Sequence, residues 1–191
     1  MNNDRKRKKI SFMKAAVILL FAAITALISA VTCRTVMKAV YPLKYSEQVE
    51  KYSKEYGVDK NLIYAVIKTE SSFDPSAKSD VGAVGLMQIM PETLEWISFK
   101  LGENISEEEL LNEDVSIRCG TFMLKYLTDE FADTRTALAA YHAGRGKVNE
   151  WLSDKNISSN GVTLDKIPYR DTAYYVNKVT RAERIYNNLY K

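Results

Sequence analysis

Glu70 closes a run in which Ile63, Val66, Ile67 and Glu70 fall at i, i+3, i+4 and i+7, the spacing that puts side chains on one face of a helix. A carboxyl at the end of an apolar stripe is poorly solvated, and poor solvation favours its neutral form. A glutamic acid that keeps its proton near neutral pH is what protonation of a glycosidic oxygen requires. The same placement suits a glutamate paired with a buried arginine or capping the next loop, and periodicity alone leaves these readings level. Metal and nucleophile chemistry have fewer residues to draw on. His142 is the one histidine and cannot build a multi-histidine metal site. A Cys119–His142 nucleophile pair has the right residue types, but no orienting partner or oxyanion donor is legible beside it.

The elements that must hold Glu70 read as helices joined by short loops. Tyr45–Tyr56 is amphipathic and Gly57 stops it; Asp59 can cap a helix over 60–72 that ends with the glutamate. Ser71 to Gly85 is a loop rich in small residues, in which Gly82 and Gly85 are expected to let backbone approach a neighbour or ligand closely. Pro91 opens a helix to about Leu101, and Ser106 with Glu109 forms a capping box for a short helix. A long helix follows from Asn112 to Phe131, then one from Asp133 to His142 and a short one over 147–152. A loop to Pro168 precedes the last helix, Tyr169 to Leu189, whose expected apolar residues are Tyr174, Val176, Val179, Ile185 and Leu189. Strand alternation is nearly absent, so the fold class is mainly α.

Charge and hydropathy divide the chain. Residues 1–44 carry nine Lys/Arg against one acid, leaving 18 bases and 23 acids in the rest, so the body is acidic and offers no general attraction to nucleic acid. Ala15–Cys33 is uncharged over 19 residues, about 28 Å as a helix and close to one hydrocarbon core. The basic cluster Arg5-Lys6-Arg7-Lys8-Lys9 before it is of the kind that stays cytoplasmic. The expected organisation is a basic cytoplasmic tail (1–14), a transmembrane signal-anchor (15–33), a linker (34–44) and an extracytoplasmic domain (45–191). A cleaved signal peptide and a lipid-modified Cys33 are the rivals; Ile28-Ser29-Ala30 is a poor cleavage site, and Thr32 a poor neighbour for a lipidated cysteine. Cys33 and Cys119 are not expected to pair.

The run from Glu70-Ser71-Ser72-Phe73 through Ser79-Asp80-Val81-Gly82-Ala83-Val84-Gly85-Leu86-Met87-Gln88-Ile89-Met90-Pro91-Glu92-Thr93 closely resembles the signature of the soluble-lytic-transglycosylase (SLT) family. That pattern sets a catalytic glutamate before Ser, then Ser-x-x-Gly-Ala-x-Gly-Leu-Met-Gln-Ile-Met-Pro-x-Thr. Ala139-Ala140-Tyr141-His142-Ala143-Gly144 is similar to the family's Ala-Tyr-Asn-Ala-Gly segment, and Ile167-Pro168-Tyr169-Arg170-Asp171-Thr172-Ala173-Tyr174-Tyr175-Val176 to its Pro-x-x-Glu-Thr-x-x-Tyr-Val segment. The resemblance covers roughly residues 45–190. It implies a lysozyme-like (goose-type/SLT) helical domain, which the apolar run and its basic flank set behind one N-terminal transmembrane helix at the bacterial cell membrane.

The resemblance further implies that Glu70 is the acid and base of a peptidoglycan lytic transglycosylase. Such an enzyme cuts between N-acetylmuramic acid and N-acetylglucosamine and leaves 1,6-anhydro ends, without a cofactor. Ser79, Gln88 and Met90 would line the sugar cleft, with Tyr141, Tyr175 and Asp171 holding substrate. His142 stands where the family has Asn, and Asp171 where it has Glu, one methylene shorter. By themselves Met87 and Met90 read as core filler, and Tyr141, Tyr174 and Tyr175 as packing residues with satisfied hydroxyls. Peptidoglycan strands and the membrane are the expected partners; no partner in an envelope assembly can be named. A hydrolytic muramidase on the same scaffold and a non-catalytic glycan-binding envelope protein remain the alternatives.

Overall fold

The computed structural model describes the backbone of residues 2–191, and the side chains of Lys14 and of residues 19–191. The chain forms two compact units, Met1–Pro42 and Leu43–Lys191.

The first unit is one helix, α1 (Asn2–Val40). Within it Leu19–Val40 is long and apolar enough to cross a membrane, and Leu19, Phe21, Leu27 and Val31 stand exposed along it. The helix continues through Arg34 and ends shortly before Pro42. The side chains of the basic cluster over 5–9 lie outside the described residues.

The second unit is built from seven α-helices and one 3-10 turn: α2 (Ser46–Tyr56), α3 (Lys60–Glu70), α4 (Pro91–Leu101), the turn Glu107–Leu111, α5 (Glu113–Glu130), α6 (Thr134–Ala143), α7 (Arg145–Ser153) and α8 (Arg170–Leu189). Among the described residues β structure is limited to the isolated antiparallel bridges Lys78–Val84 and Val84–Ile89. Local chemistry sets most helix ends. The Asp59 carboxylate accepts from Asn61 N at 2.7 Å, and the Asp133 carboxylate from Thr136 N at 2.9 Å. Ser106 and Glu109 form the expected capping box, although what it opens is a 3-10 turn. Gly57 and Gly102 close α2 and α4 in the left-handed conformation.

Helix α3 is the central strut. Leu62 to Ile67 are all buried, so it is surrounded on more than the single stripe its sequence displays. Its main partner is α8, through the stacked rings of Tyr64 and Tyr186 (5.4 Å) and the Asn61–Asn187 amide pair (2.8 Å). Helix α2 is tied to α5 by Tyr52, whose hydroxyl donates to Asp114 at 2.7 Å. Helix α6 packs against α5, α7 and α8.

The buried face of α8 is Thr172, Tyr175, Val176, Val179, Ala182 and Tyr186. The expectation that Tyr174 belongs to it fails: Tyr174 is 70% exposed. Of two adjacent tyrosines, Tyr175 is the one in phase with Thr172, Val179 and Tyr186 at helical spacing.

Candidate functional site

Glu70 is the last residue of α3, partly exposed, at the point where the helix gives way to the 71–90 loop. Its carboxyl is pushed up from 4.5 to about 7, because burial penalises the charged form more than Tyr175 and Lys178 favour it. At neutral pH it is therefore divided between acid and base.

The loop after Glu70 is held by its own polar side chains. The Ser71 hydroxyl reaches Leu86 O at 2.9 Å and accepts from Phe73 N at 3.2 Å. Ser72 and Phe73 both take positive φ, 53° and 68°, a conformation that persists only where the surroundings enforce it. Here the buried Phe73 ring, 6.4 Å from that of Tyr64, helps to enforce it. The Ser79 hydroxyl accepts from Ala83 N at 2.9 Å and closes the turn containing Gly82. Gln88, at φ 49°, donates its amide to Ala77 O (3.1 Å) and Gly85 O (3.0 Å), which leaves its carbonyl oxygen available. Met90 is extended and leads into α4.

Of the two glycines, Gly85 meets the shared expectation of close approach and Gly82 does not. At Gly85 (φ +80°) an added Cβ would lie 2.2 Å from Leu110 O, so close approach is its reason for being glycine. At Gly82 (φ +92°) nothing stands within 4 Å, so backbone conformation alone requires it.

Two tyrosines from different helices complete the surroundings of Glu70. Tyr141, near the end of α6, donates to Met87 O at 2.8 Å and so ties α6 to the loop. Tyr175 of α8 is buried with its hydroxyl beside Glu70. That hydroxyl meets no acceptor at ordinary hydrogen-bond geometry, yet it is near enough to favour the carboxylate. Both phenols are pushed well above their usual range by burial first and by the Glu70 charge next, so they act as neutral donors. The structure thus brings Glu70, Tyr141 and Tyr175 together, with Ser79, Gln88 and Met90 on the loop that Tyr141 anchors.

Asp171 sits apart from that trio. It is exposed in the first turn of α8, accepts from Thr172 N at 2.9 Å, and acts on His142. The His142 ring packs 4.6 Å from that of Tyr175, with Nδ1 3.2 Å from Thr172 Oγ1. Burial lowers its pKa while Asp171 raises it.

Three contributors were missed from sequence. Lys178 stabilises the Glu70 carboxylate and reaches Thr69 O at 3.4 Å; its place three residues after Tyr175 was the available signal. Ser71 stands in the signature run only as the residue after the glutamate, and its hydroxyl pins the loop to Leu86 O. Gly120 makes room for Met87, since an added Cβ would meet its Sδ at 2.3 Å, and nothing near Gly120 in the chain announces this. The Cys119 reading does not stand. Its thiol is fully buried and pushed up to about 11 by burial, so it stays protonated and unreactive.

A helical domain that ends its central strut in a desolvated glutamate, flanked by two neutral tyrosines, has the makings of a lysozyme-like catalytic domain. Residues 47–161 match the family described as the Transglycosylase SLT domain, and the chain belongs to that family. The soluble lytic murein transglycosylase of Salmonella typhimurium is 32% identical over 152 residues, covering 78% of this chain and 24% of that protein. The membrane-bound lytic murein transglycosylase C of Haemophilus ducreyi is 30% identical over 169 residues, covering 76% of this chain and 46% of its own length. The crystal structure of the 70 kDa soluble lytic transglycosylase of Escherichia coli superposes with a TM-score of 0.70 at 29% identity, covering 80% of this chain and 25% of that one. The mainly α, lysozyme-like expectation therefore holds. The chain spans about a quarter of the soluble relatives and under half of the membrane-bound one.

Proposed function

We propose that this chain is a membrane-anchored lytic transglycosylase that cuts peptidoglycan strands between N-acetylmuramic acid and N-acetylglucosamine, with Glu70 as both acid and base. The observation that carries this reading is the Glu70 carboxyl held at about 7, beside Tyr141 and Tyr175. Glu70 first gives its proton to the glycosidic oxygen as the C–O bond breaks. The substrate's own N-acetyl carbonyl supports the positive anomeric carbon, the part that a second carboxylate plays in most glycosidases. The Glu70 carboxylate then takes the proton of the muramic C6 hydroxyl, which closes the 1,6-anhydro ring. That hydroxyl is already on the reacting sugar, so high effective molarity replaces water.

Ser79, Gln88, Met90, Tyr141, Tyr175 and Asp171 are the proposed substrate contacts. The Gln88 carbonyl oxygen, which its amide's own hydrogen bonds leave available, suits a sugar hydroxyl, while the buried Tyr175 hydroxyl acts from beside Glu70. We read α1 as a single-pass anchor with residues 1–14 cytoplasmic, 15–33 in the membrane, 34–44 as linker and 45–191 outside. The apolar helix and the membrane-bound relatives support this reading. Glu70→Gln tests the assignment, because it keeps the shape and loses the transferable proton. Turnover on purified peptidoglycan should fall by about 10²–10⁴-fold or more, with the fold intact. Near-normal turnover would remove Glu70 from the mechanism.

A further inference from the structure

Tyr141 belongs to a second feature. Its ring lines a groove of about 280 Å³ between α4, α5 and the α6–α7 turn, which Glu70 does not line. Two walls of the groove are aromatic. Trp96 of α4 and Tyr126 of α5 meet edge to face, with ring centroids 4.6 Å apart and planes at 70°, so they form a corner. Phe122 braces Trp96 from 6.0 Å. Thr93 and the exposed Glu92 supply polar atoms at the groove's edge.

The charges narrow the choice of occupant. Among the described residues Arg145 is the one cation lining the groove, and its Nε pairs with Glu130 at 2.5 Å. Beyond it Lys100 holds its Nζ 5.9 Å from the Trp96 ring centroid, and with Glu92 at the edge and Glu130 on Arg145 the groove offers a carboxylate-rich peptide stem no net positive charge. A neutral amino-sugar ring needs none. Its C–H face suits an aromatic wall and its hydroxyls suit Thr93 and Glu92, the usual division of labour in a small-molecule site. The groove has room for one such ring, and Tyr141, which lines it, also lies close enough to Glu70 to feel its charge.

We propose that Trp96 and Tyr126 form a platform for a further N-acetylhexosamine ring of the glycan strand, so that these two residues set the strand length the protein grips. This rests on the reading of the chain as a glycan-cleaving enzyme. The platform binds sugar without touching the reacting bond, and its effect falls on affinity for longer strands.

The test uses the full chain in detergent with Glu70→Gln, so that ligand is held and not cut. N-acetylglucosamine oligomers of increasing length are titrated by calorimetry and by tryptophan fluorescence. The sequence has two tryptophans and Trp151 is buried, so a ligand-induced spectral change reports Trp96. Affinity should step up by on the order of tenfold at one added sugar. Adding Trp96→Ala or Tyr126→Ala should abolish that step while leaving affinity for the shorter oligomers unchanged, which also shows the fold to be intact. A step that survives both substitutions overturns the platform. So does a gain in affinity that requires a muramyl-linked peptide stem and not an added sugar. If the Glu70→Gln chain binds no glycan of any length, the glycan-cleaving reading itself fails and the platform falls with it.

Discussion

At the scale of single residues, Glu70 holds its proton to a higher pH than a solvated glutamate would. The pH dependence of activity follows directly. Cleavage begins from the protonated form, so kcat/KM should fall about tenfold per pH unit above the pKa near 7. Tyr175→Phe removes a group that favours the carboxylate. The basic limb of its pH–rate profile should therefore move to higher pH, together with a lower kcat. A limb that stays in place would take Tyr175 out of contact with the reacting carboxyl. Stability carries the same proton in the opposite sense. Folding raises the Glu70 pKa from 4.5 to about 7, so between those values the folded state binds more protons than the unfolded one. Its contribution to stability is present at low pH and is lost as pH rises through 7. Glu70→Gln escapes that loss. Its stability relative to the unmutated chain should grow between pH 5 and 8 by on the order of 1–3 kcal/mol, read as a widening gap in thermal midpoints.

At the scale of elements, α8 delivers two side chains with different duties. Tyr175 faces Glu70 from the buried stripe, whereas Asp171 lies exposed in the first turn, where its charge raises the His142 pKa. Replacing a polar group at a helix start typically costs about 1 kcal/mol. Asp171→Ala should therefore lower turnover by more than its small drop in thermal midpoint accounts for. Unchanged turnover would reduce Asp171 to a contributor to the helix start. The same elements show what a sequence discloses. Asp59, Asp133 and the Ser106–Glu109 box were legible because a cap acts on backbone within three residues of itself. Glu70 was legible because its neighbours on the stripe are apolar. The choice between Tyr174 and Tyr175 was not, since adjacent aromatics carry the same pattern and only packing against α3 and α6 separates them. The positive φ values at Ser72, Phe73 and Gln88 were equally hidden. They are enforced by ties to Leu86, Tyr64, Ala77 and Gly85, most of them distant in sequence.

At the scale of the whole molecule, the sequence divides into a basic, apolar leader and an acidic body, and the structure divides it after Pro42. An anchored enzyme would work on the wall nearest the membrane. The full chain should accordingly stay in the membrane fraction after high-salt and carbonate washing, with protease reaching only the body from outside. A mature protein beginning near residue 31 to 34 would replace the anchor with a cleaved or lipidated leader. The central claim concerns what is made, and end-group analysis tests it most directly. Purified peptidoglycan digested by the full chain in detergent is separated, and the muropeptides are weighed by mass spectrometry. A lytic transglycosylase gives 1,6-anhydro-muramic ends, which should accumulate with the unmutated chain and be absent with Glu70→Gln. Reducing muramic ends, one water heavier, would contradict that claim and make the protein a hydrolytic muramidase.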